Sequence, residues 1–102
     1  MTLLGGETVI VTGASQGLGA SMAKRFAREG ANVVVTARNE VNLEAVAADV
    51  ADAAGKTLVA PADVTDENAV RAVVDATIEE YGTVTGLVNN AGIGLLNMYG
   101  EQ

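Results

Sequence analysis

The sequence predicts an α/β unit in three αβα layers, a βαβαβαβ chain whose four strands form one parallel sheet in the order 3-2-1-4. Three observations carry this prediction. Short β-branched runs alternate with helix-length amphipathic stretches, as strands buried on both faces and their covering helices require. Each crossover is long enough to hold a helix, so neighbouring strands run parallel, and right-handed crossovers fix their order. The first apolar run breaks into a turn carrying Gly13, Gly17 and Gly19 before a helix begins, which is how such sheets expose a ligand loop. Residues 1–92 read as one domain, and residues 93–102 as a tail without clear periodicity.

The elements follow in order. Thr8 to Thr12 is almost wholly β-branched and makes strand one. Helix one runs from Gly17 to Glu29, with Leu18, Met22 and Phe26 recurring every fourth residue beside Ala23 and Ala27, and with Gly30 as its stop. Asn32 to Thr36 makes strand two. Leu43, Val46, Ala47 and Val50 then share one side of a second helix, which Gly55 closes. Thr57 to Ala60 makes strand three, and Pro61, which cannot donate to a ladder, marks its exit. Thr65 is placed to cap a third helix, with Asp66 and Glu67 in its first turn and Val70, Val73, Val74, Thr77, Ile78 and Tyr81 as its apolar stripe. Gly82 follows as its terminus, and Gly86 to Asn89 makes strand four.

Composition removes several functions. The 102 residues carry a formal charge of −7, which argues against a nucleic-acid partner or a membrane surface, both of which want a basic face. With no cysteine there is neither disulfide nor thiolate chemistry, and with no histidine the commonest general base and metal ligand is missing. No metal site is expected. No apolar run approaches the ~18 residues of a membrane span, and the start lacks a targeting pattern, so the expectation is a cytoplasmic protein.

The glycine loop predicts phosphate binding. It lies at the carboxyl end of strand one beside the point where strand order reverses, and the helix it opens offers unsatisfied N–H groups and a partial positive charge. Three glycines would also serve a plain strand-to-helix turn, and their spacing, Gly-x-x-x-Gly-x-Gly, departs from the general Gly-x-Gly-x-x-Gly fingerprint.

With that spacing, Thr12-Gly-Ala-Ser-Gln-Gly-Leu-Gly19 resembles the Thr-Gly-x-x-x-Gly-x-Gly motif of the short-chain dehydrogenase/reductase family. Asn89-Asn-Ala-Gly92 resembles the motif that follows its fourth strand, and Asp63-Val64 its aspartate-apolar pair after strand three. The resemblance covers Leu3 to Ile93 and implies a half Rossmann-like unit, the cofactor-binding part of that fold. It implies that Gly13, Ser15, Gln16, Gly17, Leu18 and Gly19 surround the pyrophosphate and adenosine ribose, mostly through backbone groups. Asp63 would accept from the adenine amino group and Val64 would touch the ring. Asn89, Asn90, Ala91 and Gly92 would line the cofactor between its two ends. Asp63 also suits a helix-entry turn, and Asn89 to Gly92 a plain strand exit.

The end of strand two bears on which cofactor. An acid there binds the ribose 2′-hydroxyl of NAD, whereas an arginine suits the 2′-phosphate of NADP. The segment is Val35-Thr-Ala-Arg-Asn39, with no acid before Glu40, so Arg38 is the phosphate candidate and NADP(H) is expected over NAD(H). A solvated loop arginine is the plainer alternative.

Catalysis is not expected from these residues. The family's reaction uses a Tyr-x-x-x-Lys pair with a serine and an asparagine. Here Tyr81 is followed four residues on by Thr85, and only three residues follow Tyr99. The readings left open are a dinucleotide-binding module, an oxidoreductase whose catalytic half lies elsewhere, and a non-binding assembly fragment. A homodimer through the strand-four side is expected, because an apolar edge strand invites pairing, with Leu95, Leu96, Met98 and Tyr99 adding apolar contacts.

Overall fold

The computed structural model describes residues 4–89. Seven elements follow one another: β1 (Thr8–Thr12), α1 (Gly17–Arg28), β2 (Asn32–Thr36), α2 (Glu40–Asp49), β3 (Thr57–Val59), α3 (Glu67–Tyr81) and β4 (Gly86–Val88). The strands form one sheet in the order β3-β2-β1-β4. All three pairings are parallel, with Ile10 level with both Val34 and Leu87, and Val34 level with Leu58. The parallel α/β architecture and strand order expected from the sequence are therefore present.

Strand alternation sorts the core into two layers. On one face Val11, Val33 and Val35 meet Ala20, Ala23 and Ala27 of α1 and Leu43, Val46 and Val50 of α2. On the other, Ile10 and Val34 meet Val73 of α3, with Leu58, Val74, Tyr81 and Leu87 packed around them. Val33, Val34 and Val35 are fully buried. Each valine removes enough apolar surface to contribute roughly 1.5–3 kcal/mol, which makes β2 the centre of the domain.

Local details revise four expectations. In α1 the buried stripe is Gly19, Ala20, Ala23 and Ala27, while Leu18 is 67% exposed. The small side chains win because they bring the helix close to the sheet, rotating Leu18 outward and leaving Met22 and Phe26 half-buried. Gly55 does not end α2, whose C-cap is Val50. Its N–H donates to the Ala27 carbonyl (3.0 Å), and a Cβ on it would lie 1.8 Å from the Ala31 oxygen, so this glycine permits two backbones to touch. Asp66, not Thr65, caps α3: its carboxylate accepts from the Asn68 and Ala69 N–H groups. Ile78, expected in the stripe of α3, is 47% exposed, since the buried face of that helix is Val70, Val73 and Thr77.

Thr85 fastens β4 at its start. Its N–H and hydroxyl both donate to the Thr8 carbonyl (2.8 and 3.1 Å), and its Oγ1 accepts from the Thr8 N–H (2.7 Å). At the far end the Thr12 hydroxyl lies 3.3 Å from the Val88 carbonyl and 3.3 Å from Asn89 Oδ1. Among the described residues β4 is thus a sheet edge joined at both ends to β1.

Candidate functional site

The carboxyl ends of β1, β2 and β3 meet where the glycine loop leaves the sheet. Gly13 (φ 62°) and Gly17 (φ 61°) hold the left-handed backbone that the turn requires, a conformation costly for any residue with a Cβ. Between them the loop is tied down: the Ala14 methyl is fully buried, and the Ala14 N–H donates to the Thr36 carbonyl (3.3 Å). The loop is held by the buried Ala14 methyl and by its backbone bond to the end of β2.

Helix α1 then starts in a distinctive way. Helices α2 and α3 are capped, by Asn39 accepting from the Asn42 N–H (3.0 Å) and by Asp66, and each has a glutamate in its first turn. The N-cap of α1 is Gln16, extended, with no side-chain cap bond and no acid in the first turn. Its leading N–H groups and the partial positive charge of its end are thus directed at the sheet's carboxyl edge, as an anion would require. Gly17 leaves nothing within 4 Å of where its Cβ would stand, so a ligand can reach this backbone closely.

Two cavities flank the loop. One, of about 210 Å³, is lined by Gly13, Ala37, Arg38, Ala62, Asp63, Val64 and Thr65. Its wall is fixed by a backbone bond from the Ala62 N–H to the Ala37 carbonyl (2.9 Å), which joins the exits of β2 and β3. The other, of about 430 Å³, lies between α1 and α2 and takes Ser15, Gln16 and Gly17 with Ser21, Lys24, Asn42 and Asp49. Lys24 and Asp49 pair across it at 3.2 Å.

The first cavity has opposite charges on its rim. Asp63 Oδ1 accepts from both the Thr65 hydroxyl (2.6 Å) and the Thr65 N–H (3.0 Å). The two Thr65 bonds, the hydroxyl's foremost, and the more distant Arg38 guanidinium hold the Asp63 carboxyl below the ordinary carboxylate range. Arg38 is exposed and makes no ion pair among the described residues. Its five N–H donors are therefore available to a ligand.

Nine of the expected site residues, Gly13, Ser15, Gln16, Gly17, Leu18, Gly19, Arg38, Asp63 and Val64, lie on the loop, in the first turn of α1 or at the exits of β2 and β3. Asn89 stands beside Thr12 at the exit of β4. Asn90, Ala91 and Gly92 lie outside the described residues, as do Leu95, Leu96, Met98 and Tyr99. Sequence reasoning missed Ala37, Ala62 and Thr65 on the cavity wall. The alanines carry no signal, but a threonine two residues after an aspartate is a recognisable turn pair. Among the described residues no group of acidic side chains could hold a metal ion, and no helix is long and apolar enough to cross a membrane.

A parallel sheet opening through a glycine loop onto an uncapped helix, with a base-sized cavity beside it, defines a Rossmann-type dinucleotide-binding protein. A family model described as short chain dehydrogenase matches residues 7–101, and the chain belongs to that family. It is 42% identical over 90 residues to the 2,5-dichloro-2,5-cyclohexadiene-1,4-diol dehydrogenase of Sphingobium indicum, covering 88% of this chain and 36% of that protein. The crystal structure of a hydroxysteroid dehydrogenase from Escherichia coli superposes with a TM-score of 0.83 at 37% identity, covering 89% of this chain and 39% of that one. A metagenomic short-chain oxidoreductase in complex with NADP gives a TM-score of 0.81 at 37% identity, over 88% of this chain and 41% of that one. The chain thus spans less than half the length of these relatives.

Proposed function

We propose that this chain binds NADP(H) in preference to NAD(H), as the cofactor-binding part of a short-chain reductase. The observation that carries this reading is the uncapped start of α1 set beside an unpaired Arg38, at a strand-two exit with no acid before Glu40. Gly13, Ser15, Gln16, Gly17, Leu18 and Gly19 enclose the pyrophosphate and adenosine ribose, and the Arg38 guanidinium takes two oxygens of the 2′-phosphate. Asp63 and Val64 receive the adenine, and Asn89 to Gly92 line the cofactor toward its nicotinamide. The similar oxidoreductase solved with NADP supports the choice of cofactor. Calorimetric titration with both dinucleotides tests it. NADP(H) should bind the more tightly, and Arg38→Ala should weaken NADP(H) about tenfold while leaving NAD(H) within about twofold, the value of one charge-assisted pair. Equal affinities, or a preference that survives Arg38→Ala, would refute the reading.

The cofactor supplies a hydride, and Tyr81 is followed at the fourth position by Thr85 rather than by the lysine of the family's acid–base pair. A second reading, an oxidoreductase whose catalytic residues come from sequence or a chain beyond these, is favoured by the 36% of the dichlorocyclohexadienediol dehydrogenase that the match covers. Carbonyl reduction by the 102 residues themselves would overturn both readings. Failure to bind either dinucleotide at millimolar concentration would favour a fragment that only assembles. The partners of this reading are the dinucleotide and a second copy joined through the β4 side, in the cytoplasm. A mass that stays monomeric at every concentration would exclude the dimer.

A further inference from the structure

We propose that Asp63 is the counter-charge of Arg38 and a second determinant of cofactor preference, its carboxylate opposing the 2′-phosphate that the guanidinium attracts. The proposal rests on the NADP(H) reading and makes the preference a graded quantity set by two opposed side chains. Contact with the base plays no part in it, because both dinucleotides carry the same base.

The backbone brings the two residues together. The Ala62 N–H donates to the Ala37 carbonyl at 2.9 Å, and Asp63 and Arg38 are the next residues beyond that bonded pair. Both line the 210 Å³ cavity, and no other described residue on its wall is charged. Glu40, exposed at the first position of α2, is not part of that wall. Arg38 and Asp63 form no ion pair, yet the Arg38 charge acts on Asp63: after the two Thr65 bonds, it helps to hold the carboxyl below its ordinary range. Such coupling is reciprocal, so the carboxylate acts on the guanidinium with equal strength.

The sign follows from charge. A 2′-phosphate carries nearly two negative charges. To take the guanidinium it must draw Arg38 out of the carboxylate's field, and the carboxylate repels the phosphate directly. Both effects oppose NADP(H) and leave NAD(H) alone, since its ribose presents a neutral hydroxyl there. Unit charges about 6 Å apart in solvated surroundings alter an affinity about threefold.

The test is calorimetric titration of the wild type, Asp63→Asn and Asp63→Glu with NADP⁺ and NAD⁺, in about 20 mM and about 500 mM salt. The quantity read is the ratio of the two affinities within each variant, which partial unfolding or a lost base contact lowers for both ligands alike. Asparagine keeps the oxygen that accepts from Thr65 but loses the charge. Asp63→Asn should raise the preference for NADP⁺ about threefold or more in low salt, and the gain should fall within about twofold in high salt. Asp63→Glu, which keeps the charge and alters the shape, should stay within about twofold of the wild type. An Asp63→Asn preference that is unchanged or lower in low salt overturns the proposal while the wild type's own preference stands. A gain that persists undiminished in high salt, or that Asp63→Glu shares, overturns it as well. A wild type without preference overturns the NADP(H) reading, one that binds neither dinucleotide overturns the dinucleotide reading, and this proposal falls with each.

Discussion

Gly55→Ala should be severely damaging although it adds a single methyl. Gly55 has no positive φ, so alanine suits its backbone conformation, and the cost comes wholly from space. The new Cβ would stand 1.8 Å from the Ala31 oxygen, 2.6 Å from its carbonyl carbon and 2.9 Å from the Gly30 carbonyl carbon. Ordinary contact needs about 3.5 Å, so the two backbones must part by roughly 1.5 Å. All three obstacles are main chain and cannot rotate away. Parting them breaks the bond from the Gly55 N–H to the Ala27 carbonyl and strains the one from the Val33 N–H to the Lys56 carbonyl (2.8 Å), where the β2–β3 pairing begins. Overpacking at about 1–3 kcal/mol and two weakened backbone bonds at about 1 kcal/mol each give a loss of roughly 3–5 kcal/mol. That is a large share of the ~5–15 kcal/mol available to a domain, and it lowers the melting temperature by about 12 °C or more. Thermal melts followed by circular dichroism measure it, with Gly82→Ala as the comparison. Gly82 has the opposite character, φ 85° with nothing within 4 Å of its Cβ position, and its substitution should cost only about 1–2 kcal/mol. A Gly55→Ala protein melting within about 5 °C of the wild type, or above Gly82→Ala, would refute the close approach.

Two other substitutions separate binding from stability. Gly17→Ala should fold, at a cost of about 1–2 kcal/mol for its left-handed backbone, yet lose dinucleotide affinity by tenfold or more because its methyl projects from the loop the phosphates approach; titration beside a melt shows whether the two effects part. Asp66→Ala removes the acceptor for the Asn68 and Ala69 N–H groups. It should destabilise by about 0.5–2 kcal/mol in chemical denaturation, whereas Thr65→Val should cost distinctly less, and the reverse order would restore Thr65 as the cap.

The readable features share a physical origin. Strand order followed from β-branched runs and crossover length because those patterns report burial on both faces, and the chain reports its own burial well. The glycine loop was readable because its requirements, left-handed backbone at Gly13 and Gly17, are met residue by residue within a short segment. What the sequence concealed is non-local. Gly55 looks like any helix-ending glycine until Ala31 is placed against it from across the sheet edge. Leu18 fits the helical period as well as Ala20 does, and only the closeness of α1 to β1 and β2 decides that the smaller residue goes inward. Thr65 and Asp66 are both good caps, and the choice turned on where the helix begins: with Glu67 as its first residue, Asp66 stands at the cap and its carboxylate accepts from the Asn68 and Ala69 N–H groups.

The acidic character of the chain and its anion-seeking site are compatible because they act over different distances. A net charge of −7 spread over the surface is screened beyond about 8–10 Å at physiological salt, whereas a phosphate at the start of α1 would touch its donors directly. Acids are kept from that start: the first-turn glutamates belong to α2 and α3, while α1 has none and carries Arg25 and Arg28 at its other end. Fixing the donors also limits the cost of binding. Ala14 is fully buried and bonded to Thr36, so the loop has its shape before a ligand arrives, and less of the interaction energy is spent on ordering it. The same anchoring makes the site depend on β2. Any change that loosens β2, as Gly55→Ala does at its far end, should weaken dinucleotide binding without touching a residue that meets the ligand.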